Sequence, residues 1–137
     1  MINNYDTKKT GLGKWCFDIL HPGHFELFRF ASELGNLHVG IDADIRIRKM
    51  KGPGRPVNDE GFRADMLSSL TFVEKVYIFE TDQDLRAITK RLKPDIMVIG
   101  EEYKDKTIIG AENVKEIIFF KKTLDSTTEI INKIKSA

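Results

Sequence analysis

The chain has 137 residues and a net charge of +1, from 22 lysine and arginine residues against 21 aspartate and glutamate residues. This length is typical of one domain, and the near-neutral charge argues against proteins that coat nucleic acids or membrane surfaces, because those carry a basic surplus. The single cysteine, Cys16, excludes an internal disulfide, and no apolar run approaches about 18 residues, so we expect a cytoplasmic protein without a membrane span.

The first part of the chain is expected to contain a polar extension, two strands and one helix. Residues 1–14 are polar and form the predicted extension, and WCFDIL (15–20) is a short apolar run of strand length that ends at a turn. Apolar residues at helical spacing over 25–34, followed by a glycine, predict a helix. LHVGI (37–41) is the second predicted strand.

A basic segment separates this part from the next elements. Residues 46–55 contain five lysine and arginine residues, no acidic residue and a Gly-Pro-Gly sequence. Glycine and proline at this density predict a loop, which could also be an ordinary solvated surface. Asn58 is expected to cap the helix that follows, and KVYIF (75–79) is the third predicted strand.

The last part of the chain repeats the alternation of helix and strand. Thr81 or Asp82 can cap a helix that ends at Pro94, and DIMVIG (95–100) is apolar enough to be a strand buried on both faces. EIIFF (116–120) is the fifth strand, and Ser126 opens a last helix.

This alternation predicts an α/β domain with a mostly parallel five-stranded sheet flanked by helices, covering residues 15–137. In such sheets a ligand binds beyond the carboxyl ends of the strands, where the strand order changes direction. The turns that follow the strands are therefore the places to look for functional residues.

The turn after the first predicted strand carries two histidines around a glycine. His21 and His24 are three residues apart at a predicted helix start, and Gly23 lets a ligand approach the backbone. The helix amino terminus adds N–H groups and a positive dipole end, which suit a phosphate. Two alternatives stay open from these residues alone, a structural histidine pair and a metal site completed by Cys16.

The same turn resembles a known signature. CFDILHPGH (16–24) is similar to the HxGH signature of the nucleotidyltransferase superfamily, which includes the cytidylyltransferases. Three further segments resemble, in the same order, the members that act on sugar phosphates and polyol phosphates: KGPGRPVND (51–59), KPDIMVIGEEY (93–103) and DSTTEII (125–131). The similarity is greatest to heptose-1-phosphate nucleotidyltransferase domains and then to glycerol-3-phosphate cytidylyltransferase.

The resemblance implies a single Rossmann-like domain and an enzyme. Such an enzyme joins a nucleoside monophosphate from ATP or CTP to a sugar phosphate or polyol phosphate, here with heptose 1-phosphate favoured, and releases pyrophosphate. Mg²⁺ accompanying the nucleoside triphosphate is the expected cofactor. The expected partners are the triphosphate, the phosphorylated substrate and a second copy in a homodimer, with no nucleic acid and no membrane.

Individual roles follow from the resemblance, position by position. The catalytic residues that it implies are His21, His24 and Lys51. Nucleotide binding is implied for Cys16, Phe17, Gly23, His24, Gly100, Glu101, Ser126, Thr127 and Thr128, with Glu101 or its neighbour Glu102 replacing an aspartate. Substrate binding is implied for Asp18, Arg48, Lys49 and Arg63, and no residue is expected to hold a metal. Ser126 to Glu129 also fits a capping box, which needs no ligand.

Two positions depart from the pattern of the superfamily. The residues before Cys16 lack an apolar first strand, and Trp15 stands where a glycine is expected close to the nucleotide. An indole there is expected to crowd the site, so a catalytically impaired nucleotide-binding protein, acting as a sensor or assembly partner, is the alternative function. The second departure is the segment 35–38, which is one residue shorter than the usual entry to the second strand. His38 therefore falls within an apolar strand, and we expect a hydrogen-bonded structural role for it.

Overall fold

Five strands and five helices make up the residues that the computed structural model describes, 9–121 and 127–137. The strands are β1 (Thr10–Trp15), β2 (Asn36–Asp42), β3 (Val73–Phe79), β4 (Ile96–Gly100) and β5 (Glu116–Phe120). The helices are α1 (Pro22–Ser32), α2 (Asp44–Lys51), α3 (Glu60–Ser68), α4 (Asp82–Leu92) and α5 (Thr127–Ser136). Two 3₁₀ turns, Glu101–Tyr103 and Ala111–Asn113, lie between β4 and β5.

All five strands belong to one sheet in the order β3-β2-β1-β4-β5, and every neighbouring pair is parallel. The chain lays down β1, β2 and β3 towards one edge and then returns to place β4 and β5 on the other side of β1. The strand order therefore changes direction between β1 and β4, which is where open α/β sheets bind ligands. The predicted α/β class with a parallel five-stranded sheet is confirmed.

The first strand was predicted in the wrong place. It covers Thr10–Trp15 at the centre of the sheet, so residues 10–14, assigned to the polar extension, form most of β1. This strand pairs with β2 on one side and β4 on the other, and Gly11, Leu12 and Gly13 are buried. Backbone pairing to two neighbours stabilises it despite its few apolar side chains. Residues 1–8 lie outside the described part of the chain.

Most of the basic segment is also a helix rather than a loop. The helix α2 runs to Lys51, and the Gly-Pro-Gly sequence begins only after it, with Gly52 at a φ of 89°. Its sequence suits the helix dipole, because Asp44 lies in the first turn and three basic residues lie in the last turn. Ile47 is fully buried, so one face of α2 packs against the rest of the domain.

The starts of α3 and α4 were predicted to within one residue. The side chain of Asp59, rather than that of Asn58, caps α3 by accepting from the backbone N–H of Phe62 at 2.8 Å. Thr81 caps α4 in a reciprocal capping box with Asp84, as one of the two predicted alternatives requires. Ser126, the predicted start of the last helix, lies outside the described residues.

The core has one layer on each face of the sheet. On one face Val39, Ile41 and Val98 pack with Phe28 of α1 and Leu67 of α3. On the other face Leu12, Met97 and Ile99 form a smaller buried cluster, against which Leu92 of α4 packs. Within residues 9–121 and 127–137, no helix is long and apolar enough to cross a membrane.

Candidate active site

A pocket of about 520 Å³ opens at the carboxyl edge of the sheet, around the ends of β1, β2 and β4. It therefore lies at the change in strand order, as the α/β class predicts. Seven residues that were predicted as site residues line it: Cys16, Phe17, Asp18, His24, Lys51, Thr127 and Thr128. These residues come from the β1–α1 turn, the end of α2 and the start of α5, which the sheet brings to one place.

Other predicted site residues do not line this pocket. They are His21 and Gly23 at the start of α1, Gly100 at the end of β4, Glu101 in the 3₁₀ turn after it, the exposed Arg48 and Lys49 of α2, and the buried Arg63 of α3. The lining residues of α2 include Arg46 and Met50, which lie one turn apart on a single face of the helix. Ser126 is outside the described residues.

Several lining residues were not predicted as site residues. They are Lys14, Trp15, Asp42, Arg46, Met50, Arg55, Ile99, Tyr103, Lys106, Thr107, Ile108 and Ile109. Glu102, which the resemblance offered as the alternative to Glu101, also lines the pocket, whereas Glu101 does not. Asp42 could have been found, because it stands at the end of a strand. A Cβ atom at Gly100 would clash with the Glu102 carboxylate, so this glycine leaves room for Glu102 to fold over the end of β4.

The two histidines of the first turn lie against each other. Their ring centroids are 3.8 Å apart and their planes are inclined by 26°. His21 is the N-cap residue of α1, and its Nδ1 accepts a hydrogen bond from the backbone N–H of Gly23 at 3.1 Å. An Nδ1 that accepts carries no proton, so the proton of the neutral ring is on Nε2, where it can serve as a donor.

Phe17 holds this pair from the β1 side. The centroid of the Phe17 ring lies 5.0 Å from that of the His24 ring, in an edge-to-face arrangement, and 5.2 Å from that of the Phe28 ring. Its backbone φ is 49°, in the left-handed region that a bulky residue rarely occupies. Burial of the ring, which is only 2 % exposed, stabilises this strained turn and thereby orients the start of α1.

The Asp18 side chain forms hydrogen bonds within the protein, to the segment between α2 and α3. Its carboxylate accepts from the backbone N–H groups of Val57 and Asn58, both at 2.8 Å, and from Arg55 Nε at 3.3 Å. The Asn58 side chain returns a bond to the Asp18 carbonyl at 2.8 Å. Asp18 thus fastens the segment between α2 and α3 to the first turn.

Arg63 also binds the polypeptide, beneath the pocket. Its guanidinium donates to the carbonyls of Cys16, Asp42 and Asn58 and to the Asp44 carboxylate, at 2.8 to 3.0 Å. Four of the five N–H groups of an arginine are occupied in this way, and the residue is 1 % exposed. Arg63 therefore connects the ends of β1 and β2, and it does not line the pocket.

The cations of the pocket differ in how they are engaged. Arg46 pairs with both Asp42, at 2.9 Å, and Asp82, at 2.8 Å. The Lys14 ammonium lies 5.7 Å from the centre of the Tyr103 ring and 6.0 Å from that of Phe79.

The start of α5 is attached to the first turn. The hydroxyl of Thr127 donates a hydrogen bond to the carbonyl oxygen of Ile19 at 3.1 Å.

His38 lies away from the pocket and has a structural contact. Its Nδ1 is 3.1 Å from the Tyr77 hydroxyl on the neighbouring strand. Burial lowers the pKa of His38, with smaller opposing and reinforcing effects from Glu74 and Lys75. This agrees with the structural role that was expected.

The metal alternative finds no support in the described part of the chain. Among residues 9–121 and 127–137, no three or more histidine, cysteine, aspartate or glutamate side chains are grouped to hold an ion. Cys16, which would complete a site with the two histidines, instead points its thiol at Asp42, with 3.5 Å between Sγ and Oδ2.

Cys16 is expected to be a slow nucleophile. Burial, together with the nearby Asp42 carboxylate, raises the pKa of Cys16 to about 11. Only the thiolate is alkylated, so iodoacetamide at about pH 8 should modify the folded protein at least ~10-fold more slowly than the urea-unfolded protein. Mass spectrometry over time measures both rates on the single cysteine, and equal rates would contradict the protonated thiol.

Comparison with known proteins identifies the family. A family model described as cytidylyltransferase-like matches residues 16–134. This chain belongs to the cytidylyltransferase-like family. The match includes the histidine pair, the lining residues of α2 and the start of α5, and it begins directly after β1.

Individual relatives agree with this membership. The bifunctional protein HldE of Campylobacter concisus (strain 13826) is 43 % identical over 143 residues, covering 100 % of this chain and 29 % of the relative. The protein of the same name from Helicobacter acinonychis (strain Sheeba) is 42 % identical over 139 residues, covering 99 % of this chain and 30 % of the relative. The chain therefore spans less than a third of the length of these relatives.

A solved structure supports the fold. The lipopolysaccharide core biosynthesis protein from Thermoplasma volcanium GSS1 superposes with a TM-score of 0.66 at 24 % sequence identity. The superposition covers 86 % of this chain and 98 % of that protein. This similarity concerns the fold alone.

Proposed function

We propose that this protein is a nucleotidyltransferase that joins a nucleoside monophosphate to a phosphorylated sugar, with heptose 1-phosphate as the favoured acceptor. The observation that carries the proposal is the stacked pair His21 and His24 at the start of α1, beside the pocket at the change in strand order. Family membership and the HldE relatives support the same class of reaction.

The proposed reaction forms one phosphorus–oxygen bond and breaks another. An oxygen of the acceptor phosphate attacks the α-phosphorus of the nucleoside triphosphate. The bond between the α-phosphorus and the oxygen that bridges to the β-phosphorus breaks, and pyrophosphate leaves with that oxygen and its electron pair. The acceptor phosphate is already ionised near neutral pH, so no general base is required.

Catalysis would then consist of alignment and charge stabilisation. The Nε2 proton of His21 and the imidazole of His24 would donate to phosphate oxygens as negative charge builds up at the α-phosphorus. The start of α1 and the start of α5, with Thr127 and Thr128, would hold the remaining phosphates. Lys51, on the rim of the pocket, would balance the charge of the leaving pyrophosphate or of the acceptor.

Three parts of the proposal rest on sequence reasoning alone. Mg²⁺ would enter as the complex of the triphosphate, held by phosphate oxygens and water. ATP or CTP would be the nucleotide, and a homodimer in the cytoplasm would be the working form. Mass determination of the purified protein by light scattering tests the dimer.

The alternative of an impaired nucleotide-binding protein loses one of the two observations that motivated it, because the first strand is formed over six residues and pairs with β2 and β4. Trp15 does line the pocket, and its indole lies beside Gly13, where a Cβ atom would stand 3.6 Å from the ring. Trp15 also packs against Phe17, with 5.8 Å between the ring centroids.

A substrate screen tests the proposed function. Each of the four common nucleoside triphosphates is mixed with Mg²⁺, protein and either heptose 1-phosphate or glycerol 3-phosphate, and pyrophosphate is measured. We expect release with ATP or CTP and heptose 1-phosphate, and none when the acceptor is omitted. Folded protein that releases no pyrophosphate with any pairing would overturn the proposal.

A further inference from the structure

Arg55 is a lining residue of the pocket that none of the predicted roles includes. It follows the Gly-Pro-Gly turn between α2 and α3, and its side chain is only 16 % exposed. An arginine side chain stays charged in proteins. The pocket therefore holds a permanent cation at this point.

The guanidinium of Arg55 is held from one side. Its Nε donates to Asp18 Oδ2 at 3.3 Å, and the same carboxylate accepts from two backbone N–H groups of the Arg55 segment, those of Val57 and Asn58. Asp18 is 3 % exposed. This carboxylate therefore fixes both the segment and the direction of the arginine that the segment carries.

The far end of the same guanidinium lacks an acceptor. Arg55 Nη2 is buried and has no hydrogen-bond partner among the described residues. Buried N–H groups are nearly always satisfied in folded proteins, and an exception calls for an explanation. An oxygen of a ligand bound against this arginine supplies one. A guanidinium matches a carboxylate or a phosphate, and the proposed substrates carry phosphates.

Other arginines close to this site are already committed. Arg46 is paired with Asp42 and Asp82, and Arg63 makes four hydrogen bonds to the polypeptide. Arg55 has one contact and an unsatisfied buried end. It is therefore the arginine best placed to receive an anion.

The topology assigns Arg55 to one half of the pocket. β2 and β4 lie on opposite sides of β1, and the β4 side carries Tyr103, Ile108 and Ile109, whose apolar surface suits a nucleobase. Arg55 belongs to the segment after α2, which follows β2, and it shares that half with Lys51.

We propose that Arg55 binds the phosphate of the acceptor sugar through Nη2, and that Asp18 acts as a positioning residue that aims it. The inference rests on the proposed function, because it assumes a phosphorylated acceptor in this pocket. It names the group that selects acceptors bearing a phosphate, and it changes the expected role of Asp18 from contact with substrate to support of Arg55.

The test compares Arg55→Gln and Arg55→Lys with the control Arg29→Gln, whose arginine is exposed on α1. We expect the KM for heptose 1-phosphate to rise about 10- to 100-fold in Arg55→Gln, with the KM for the triphosphate changed less than about 3-fold. Arg55→Lys keeps the charge but not the paired N–H groups and should fall between. Thermal melting checks that each variant is folded.

Calorimetric titration of heptose 1-phosphate into the protein, without nucleotide, separates this inference from the proposed function. Arg55-dependent binding by a wild-type protein that has no turnover would support the anion site and reject the reaction. Turnover with an unchanged KM for heptose 1-phosphate in Arg55→Gln would reject the role of Arg55 and keep the reaction. Two other results would overturn the inference. One is a raised KM for the triphosphate alone in Arg55→Gln, and the other is the absence of heptose 1-phosphate binding to the wild-type protein.

Discussion

The variant His21→Asn is expected to stay folded and to lose about 10²- to 10³-fold in the rate of pyrophosphate release. Asparagine is a good N-cap residue, so it can replace the hydrogen bond that His21 Nδ1 accepts from Gly23. It cannot replace the Nε2 donor or the ring that stacks on His24 at 3.8 Å. The change therefore separates the helix-capping role of His21 from its chemical role.

Two further variants complete this experiment. His21→Ala should show the same loss of rate and also a lower melting temperature, because loss of a cap costs about 1 kcal/mol. His38→Asn removes a histidine that contacts Tyr77 away from the pocket, and its turnover should match wild type. Steady-state rates and thermal melts are measured for all three. Wild-type turnover in His21→Asn would show that the histidine only caps the helix.

The variant Arg63→Met is expected to lower the free energy of unfolding by about 3–5 kcal/mol. The side chain is fully buried, and its removal would leave the carbonyls of Cys16 and Asp42 and the Asp44 carboxylate without their donor. Those groups stand at the ends of β1 and β2, so the loss would loosen the floor of the pocket as well.

A matched control uses an exposed arginine. Arg86 and Glu112 are 3.7 Å apart with exposed side chains, and Arg86→Met should cost about 0–1 kcal/mol. Urea unfolding followed by circular dichroism gives both free energies on one scale. Equal, small losses in the two variants would contradict the structural role assigned to Arg63.

The sequence predicts best those elements whose apolar side chains are enough to indicate a buried strand. EIIFF (116–120) coincides with β5, and LHVGI (37–41) lies within β2, because both are short apolar runs. The first strand was misplaced, since Gly11 and Gly13 carry no apolar signal and the strand forms through backbone pairing with two neighbours. Most of the apolar run that predicted this strand, Cys16–Leu20, instead forms the turn between β1 and α1. Its buried Phe17 packs against His24 and so anchors the start of α1.

Site residues divide in a similar way. A local motif was enough to indicate His21 and His24, because their chemistry and spacing lie within one turn. Arg55 and Asp42 enter the pocket only through the way in which β2 and the α2–α3 segment fold against β1. The bonds of Asp18 and Arg63 cross about 20 to 50 positions in sequence, and no local pattern predicts that they end on backbone groups.

The central claim, nucleotidyl transfer at the β1–β4 pocket, is tested most directly by phosphorus NMR of a reaction mixture. The mixture contains this protein, Mg²⁺, the preferred triphosphate and heptose 1-phosphate. We expect the heptose 1-phosphate signal to be replaced by the pair of coupled signals of a diphosphate, together with an equal amount of pyrophosphate. Release of inorganic phosphate from the triphosphate, with the heptose 1-phosphate signal unchanged, would contradict it.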